Sequence, residues 1–199
     1  MQINLIKNHM IYKFLVVAFS ILLISGCTTA FVTGASKVVL IEKEERSFNN
    51  FVEDTIILAQ LKNSYFSNNE KIFFNVDVEV SQGRVLLTGT VDNIDLRIEA
   101  TRIAWGVKGV QTVINEIQIS QSDSILNFAD DLVISTKVLA KLMLDEEINS
   151  LNYNIETVNK IVYIIGISSS SEEKQKAIEL SKEVFGVEEV VDYITIKSE

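Results

Sequence analysis

Few side chains in this sequence could perform covalent chemistry. Cys27 is the only cysteine and His9 is the only histidine, and both lie near the N-terminus. Histidine-based triads, cysteine nucleophiles with a histidine base, and zinc sites built on Cys and His all need residues that are missing once His9 leaves with an N-terminal signal. If residues 1–26 are removed, 16 basic and 27 acidic residues remain, a net charge of −11, and no histidine. Carboxylates, lysines, serines and tyrosines are then the reactive groups left.

Two polar clusters among these groups could in principle form a site. Asp145, Glu146 and Glu147 could be half of an acid/base pair or a set of calcium ligands. However, consecutive residues point in different directions, and the pattern favours a solvated helix end. The serines at 168–171 lack the Gly-x-Ser-x-Gly frame of a nucleophile elbow, which favours a turn and a helix N-cap. We therefore expect no catalytic residue, no metal and no cofactor.

The surroundings of Cys27 indicate an export signal. Lys7 and Lys13 come before an apolar block at 14–24, and Ser25 and Gly26 follow it. The block is shorter than the roughly 20 residues that cross a bilayer, which predicts a cleavable signal at 1–26. An uncleaved helical anchor and an ordinary secretory signal with a chance cysteine are the alternatives. All three interpretations place the remaining chain outside the cytoplasm.

The letters "ISGC" before and at Cys27 resemble the lipobox of bacterial lipoproteins. The resemblance implies cleavage after Gly26, a diacylglycerol on the Cys27 thiol, and a further acyl chain, such as palmitate, on its amine. Thr28 follows, where an aspartate would imply retention at the inner membrane. By this resemblance, the protein is lipid-anchored at the periplasmic face of the outer membrane.

The chain contains an internal duplication from residue 54 onward. Residues 54–122 align with 131–199 without a gap, and 14 of the 69 pairs are identical. Gly89 falls on Gly166, and Gly109 falls on Gly186. Such self-similarity at a fixed period indicates repeated structural units. We predict a tether at 27–53, a first domain at 54–120, a linker at 121–130 and a second domain at 131–199.

Each copy has the same predicted order of elements. A helix at 54–65, or at 131–144, begins on an aspartate suited to the helix dipole. The alternating "FFNVDVEV", a turn at Ser81–Gly83 and "RVLLTG" predict a hairpin. A second helix at 94–107, with its counterpart opening at Ser170, leads to Gly109 or Gly186, suited to a left-handed terminator before a third strand. The order α-β-β-α-β predicts an α+β fold, two tandem sandwiches with helices on one face of a small three-stranded sheet, and we expect the two to pack together.

The sequences "VSQGRVLLTGTV" and "GVKGVQTVINEI" resemble the BON domain, a module of the bacterial envelope. The second copy keeps Gly166 and "GVEEVVD", with Asn159 and Lys160 at the turn. With the lipobox, this pattern is similar to dual-BON outer-membrane lipoproteins. The resemblance implies a binding module without enzymatic activity, whose partner is an anionic phospholipid membrane or an envelope protein. No basic footprint for nucleic acid is present, and the oligomeric state is left open.

The first helix of the second domain carries more apolar residues than one core face needs. Ile134, Val138 and Leu142 recur as a core stripe. A further row beside it either packs against the first domain or forms an exposed membrane- or partner-binding face. By resemblance, lipid contacts lie on this helix, and the predicted binding residues are Leu132, Val133, Lys137, Leu139, Lys141 and Met143. Trp105, on the second helix of the first domain, is expected in the core or at the domain interface.

Overall fold

Two α+β domains follow one another in the computed structural model, which describes residues 45–120 and 125–197. The elements of the first domain are α1 (Glu45–Asn68), α2 (Glu70–Asn75), β1 (Val76–Ser81), β2 (Arg84–Val91), α3 (Ile94–Trp105), β3 (Thr112–Asn115) and β4 (Gln118–Ile119). The second domain contains α4 (Ile125–Met143), a 3-10 turn (Ser150–Asn152), β5 (Tyr153–Val158), β6 (Ile161–Ser168), α5 (Ser171–Lys182) and β7 (Glu189–Ile196). The α+β class and the tandem arrangement are as predicted.

The two sheets share one topology. A hairpin, β1–β2 or β5–β6, pairs antiparallel, and the third strand joins the second in parallel after a helical crossover. In the second domain that third strand is the unbroken β7. In the first domain it is interrupted, because the Asn115 side-chain oxygen accepts the N–H of Ile117 at 3.1 Å. The first sheet therefore has four strands, β3 and β4 both pairing with β2, where three were expected.

The long helices begin earlier than the sequence suggested. Helices α1 and α4 start at Glu45 and Ile125, so Asp54 and Asp131 lie inside the helices and not at their first turns. Their carboxylates accept backbone N–H groups of the hairpin turns instead. Asp54 binds the N–H groups of Gln82 and Gly83 at 2.7 and 2.8 Å. Asp131 binds those of Asn159 and Lys160 at the same distances. Each long helix is thereby fixed to its own hairpin.

The segment "FFNVDVEV" is only partly a strand. Phe73, Phe74 and Asn75 belong to helix α2, and β1 begins at Val76. Helix α2 forms because the Asn69 side chain accepts the N–H groups of Lys71 and Ile72, a standard N-cap arrangement. Ile72 is then buried under the sheet, which stabilises the helical alternative.

The predicted turns and terminators adopt left-handed backbone conformations. Both central residues of each hairpin turn have positive φ: Gln82 and Gly83 in the first, Asn159 and Lys160 in the second. This is the requirement of a type I′ turn, whose twist matches that of the strands. Gly109 and Gly186 have φ of 97° and 102°. They lie four residues beyond the helix ends at Trp105 and Lys182, whose caps Gly106 and Glu183 are right-handed, so they do not terminate the helices as predicted.

The strands alternate between two cores. Val85 and Leu87 of β2 pack with the helices of the first domain, whereas Leu86 between them faces the other sheet. In β6, Val162 and Ile164 face the helices, and Tyr163 and Ile165 pack with Leu86. The two sheets therefore lie back to back, with helices on both outer faces. The two copies pack together, as expected.

Polar contacts join the two domains around this shared core. The Arg84 guanidinium donates to the carbonyl oxygen of Tyr193 at 2.8 Å. The Asn154 amide donates to the carbonyl oxygen of Val80 at 3.2 Å. The Tyr193 hydroxyl donates to a Glu116 carboxylate oxygen. Residues 49–199 accordingly form one compact body.

The predicted signal at 1–26, the predicted lipidation site Cys27 and most of the predicted tether lie outside the described residues. Four residues of the predicted linker, 121–124, also lie outside them. Among the residues that are described, no helix has the length and apolar character needed to cross a membrane.

Candidate functional site

Helix α4 places two different apolar faces on one cylinder. Ile134, Val138 and Leu142 are buried in the core of the second domain, which confirms the predicted core stripe. Their spacing of four residues keeps them on the side that faces the sheet. The buried face fixes the orientation of α4 on the sheet and therefore also the direction in which the side chains of the opposite face point.

The opposite side of α4 is exposed. Leu132, Leu139 and Met143 have 58%, 40% and 61% of their surface accessible. Phe128 and Val133 are exposed as well, and we call these five side chains the α4 apolar face. The sequence left open whether this row packs against the first domain or is exposed. Its exposure excludes the first interpretation. A contiguous exposed set of large apolar side chains is typical of a binding surface.

The duplicated helix α1 supplies an internal comparison for this face. The residues that match Leu132 and Leu139 are Thr55 and Lys62. Lys62 extends toward Asp77, with 4.0 Å between the ammonium and the carboxylate. The same fold therefore forms with a polar residue at these two positions. The residues that match Phe128, Val133 and Met143 are Phe51, Ile56 and Phe66, which are also apolar and exposed, so α4 differs from α1 at Leu132 and Leu139.

The two predicted lysines differ in their surroundings. Lys141 lies 2.6 Å from a Glu183 carboxylate oxygen, which holds its charge against helix α5. Lys137 is exposed and lies four residues after Val133, on the same side of the helix. The structure therefore brings Lys137, but not Lys141, to the border of the α4 apolar face.

A cleft runs beside Leu139, where α4 approaches the first domain. It has a volume of about 270 Å³ and is lined by Glu79, Ser135, Thr136, Leu139, Tyr153, Asn154 and Ile155. Burial raises the pKa of Glu79 to about 7, and the nearby Asp77 charge adds to the rise while Lys62 opposes it. One end of the α4 apolar face thus borders a carboxyl group that titrates near neutral pH.

Glu156 of β5 is, like Glu79, a half-buried carboxyl group of this region. Its pKa is raised to about 7 by burial and by the charges of Asp77 and Glu79. Neither Glu79 nor Glu156 was predicted to belong to a site. The sequence did contain an indication of their importance, because Glu79 and Glu156 occupy matching positions of the duplication and are identical. Strand alternation also places both on the sheet face opposite to the helices.

The other polar clusters have structural roles. Asp145 and Glu147 both pair with Lys176, at 2.9 and 2.8 Å, beyond the end of α4. Ser170 is the N-cap of α5, as predicted, and its hydroxyl accepts the N–H of Glu173. Within residues 45–120 and 125–197, no group of three or more Asp, Glu, His or Cys side chains is arranged to hold a metal ion.

Trp105 does not lie where the sequence analysis placed it. The prediction of a core or interface position was wrong, because 54% of its surface is exposed. Helix α3 buries the small side chains of Ala100 and Ala104 together with Ile103 against the sheet. These three residues form the buried face of α3, and Trp105 lies on its outer, exposed side.

Comparison with known proteins agrees with this geometry. The model of the BON domain matches residues 53–121 and again residues 130–198. The chain belongs to the BON domain family. A protein of Anaplasma centrale, named for its place in the gshII 5′ region, is 40% identical over 147 residues, covering 73% of this chain and 96% of the relative.

Two further BON relatives carry names that refer to a location or a response. The outer membrane lipoprotein DolP of Haemophilus influenzae is 25% identical, over 84% of this chain and 87% of its own. The osmotically inducible protein Y of Escherichia coli is 27% identical, over 78% of this chain and 80% of its own. The BON model therefore covers both copies in this chain, and the alignments cover most of each relative.

Proposed function

We propose that this protein is a non-enzymatic lipoprotein of the bacterial envelope that binds anionic phospholipid surfaces and supports envelope integrity. The lipid on Cys27 holds it at the periplasmic face of the outer membrane, and the α4 apolar face makes a second, reversible membrane contact. The observation that carries the proposal is the exposure of this face beside Lys137.

The energetics of the α4 apolar face suit such a contact. Complete burial of one large apolar side chain contributes about 1.5–3 kcal/mol, and partial insertion of an amphipathic helix recovers part of that for each residue. A lysine near an anionic surface adds about 1 kcal/mol. Acyl chains contribute about 0.8 kcal/mol per buried methylene and dominate attachment. The helix therefore selects the membrane region that the protein occupies, while the lipid anchors it.

The location rests on two separate observations. A relative that covers most of this chain is an outer membrane lipoprotein. The "ISGC" sequence supplies a cysteine where a lipoprotein would be acylated. Both support an envelope position for the two BON domains.

A second candidate function is a periplasmic scaffold that binds envelope proteins through the same α4 apolar face. The charge of the second domain favours it, because residues 131–199 contain 13 acidic and 7 basic residues, a net charge of −6. Such a charge opposes an anionic surface, although salt screens it over about 8 Å at physiological ionic strength.

Vesicle flotation separates the two functions. Residues 28–199, produced without lipid, are mixed with vesicles of phosphatidylcholine or of phosphatidylcholine with phosphatidylglycerol. We expect flotation with the anionic vesicles and an about tenfold lower bound fraction for Met143→Asp, because a charge replaces an inserted apolar group.

Phe66→Asp is the matched control for this experiment. Phe66 occupies the position in α1 that matches Met143 in α4, and 64% of its surface is exposed. Met143→Asp should keep the wild-type unfolding temperature, because its side chain is exposed. Phe66→Asp should lower it slightly, because the Phe66 ring packs edge to face on Phe73 with 5.2 Å between the ring centroids. Absence of flotation by the wild type, or an equal loss in Phe66→Asp, would contradict the proposed membrane contact.

A further inference from the structure

A second exposed apolar surface lies on helix α3 of the first domain. Ile94, Ile98 and Trp105 are all at least half exposed, and their helical spacing places them on one side of α3. They line a groove of about 380 Å³ together with Arg97, Thr101, Arg102 and Asn115. We call the surface formed by the six of these residues on α3 the α3 groove. Its surface is mostly apolar, with one arginine on each side of the apolar row.

The two arginines are held differently. The Arg97 guanidinium donates to the side-chain and carbonyl oxygens of Asn115, both at 3.3 Å. Asn115 in turn donates to the Thr101 hydroxyl at 2.6 Å, so this border of the groove is fixed. The Arg102 side chain is 71% exposed, and its guanidinium lies 4.0 Å from Glu99. Because an exposed ion pair of this kind is weak, Arg102 can bind an incoming carboxylate with little loss of free energy from its contact with Glu99.

The second domain shows that the fold does not require this groove. The supporting contact is retained there, since Lys174 pairs with Asp192 where the first domain has Arg97 and Asn115. The apolar row is not retained, and the residues matching Ile94, Ile98, Arg102 and Trp105 are Ser171, Gln175, Glu179 and Lys182. Two copies of one architecture thus differ at the surface positions that make the first one apolar and cationic.

We propose that the α3 groove binds a helical segment of a partner protein that carries apolar side chains bordered by Asp or Glu. The assignment follows from charge complementarity, because two of the chain's four arginines border the groove in a protein of net charge −9. Tryptophan and arginine are also the residues that most often dominate protein interfaces. An arginine fork binds a carboxylate through two parallel hydrogen bonds, which fixes the orientation of the partner.

The position of α3 favours a protein over a membrane as the occupant. Helices α3 and α4 pack on the outer faces of two sheets that lie back to back. A flat bilayer in contact with the α4 apolar face therefore leaves the α3 groove accessible. The groove is shallow and is lined mainly by one face of α3, and an amphipathic helix packed side by side with α3 is a common way to bury such a face. Accessibility of the groove in the membrane-bound state rests on the proposed lipid contact of α4, whereas its charge complementarity to acidic residues does not.

Photo-crosslinking in the native cells tests the inference on the full chain. A benzophenone amino acid replaces Ile98 or, as the matched control, Gln175 on the corresponding helix of the second domain. We expect an adduct at Ile98 alone, whose attached partner peptide contains Asp or Glu within one helical turn of apolar residues. Arg102→Glu should lower its yield about tenfold, and changing the partner's acidic residue to Lys should restore it.

Several results would overturn the inference. They are the absence of an adduct at Ile98, an adduct with phospholipid, an adduct with a second copy of this chain, and a yield that Arg102→Glu leaves unchanged. Arg102 and Ile98 are exposed, so the substitutions should leave the fold intact. Trp105 is the only tryptophan, and its fluorescence checks that the groove is preserved in each variant.

Discussion

One aspartate in each copy explains why the long helix packs on its hairpin in the same way in both domains. Asp54 and Asp131 are identical across the duplication, and each binds two N–H groups of its own hairpin turn. The sequence identified both residues but assigned them to helix dipoles. The pairing of a helix carboxylate with a turn 28 residues later has no local pattern, so a single sequence did not reveal it.

Asp131→Ala should lower the free energy of unfolding by about 2–3 kcal/mol, because two turn N–H groups lose a charged acceptor. Asp131 is 6% exposed, so solvent replaces the carboxylate poorly. Chemical denaturation measures the loss. Asp130→Ala, a change of the exposed neighbour, should leave stability within about 0.5 kcal/mol of wild type. Equal effects of the two substitutions would show that the contact with the turn contributes no stability.

At the level of elements, the hydrophobic pattern predicted most helices and strands. It failed where a single polar side chain determines where an element begins or ends. Alternation predicted both hairpins, and the glycine positions indicated left-handed conformations. Helix α2 was missed because the Asn69 cap and the burial of Ile72 outweigh the strand pattern of the next residues. The break between β3 and β4 was missed because it depends on one hydrogen bond of Asn115.

The acidic residues of edge strands β1 and β5 make stability depend on pH. The pKa values of Glu79 and Glu156 are about 7 in the folded protein, above the ordinary value of 4.5. The folded state therefore binds more protons than the unfolded state between these values, and stability falls as pH rises from about 4.5 to 7. Asp77, Lys62 and the polar groups of the adjacent α4 surround these carboxyl groups.

We expect Glu79→Gln combined with Glu156→Gln to raise stability at pH 8 by about 2 kcal/mol, after allowance for solvent screening, and to flatten the pH profile. Thermal unfolding between pH 5 and pH 8 measures both effects. The exposed Glu70→Gln serves as the control and should follow the wild-type profile. A wild type that is as stable at pH 8 as at pH 5 would be incompatible with neutral carboxyl groups in this interface.

At the scale of the whole molecule, the duplication predicted two domains and their contact, but not the faces that meet. A signal was present in strands β2 and β6, where apolar residues run consecutively: Val85 to Leu87, and Val162 to Ile165. Such runs are typical of strands buried on both faces. The residues that face the opposite sheet then join the two BON domains, and each binding surface is left on a separate outer layer.

Substitutions of Leu86 and Leu87 distinguish the stability of the first domain from the stability of the contact between the two domains. Both are fully buried neighbours on β2, but Leu86 packs against the second domain and Leu87 against the helices of the first. Each change to Ala should cost about 2–4 kcal/mol. Hydrogen exchange should show reduced protection of β6 amides in Leu86→Ala, whereas in Leu87→Ala the loss should concentrate in the first domain. If β6 remained equally protected in both variants, the two domains would unfold independently, and the back-to-back sheets would contribute little to cooperativity.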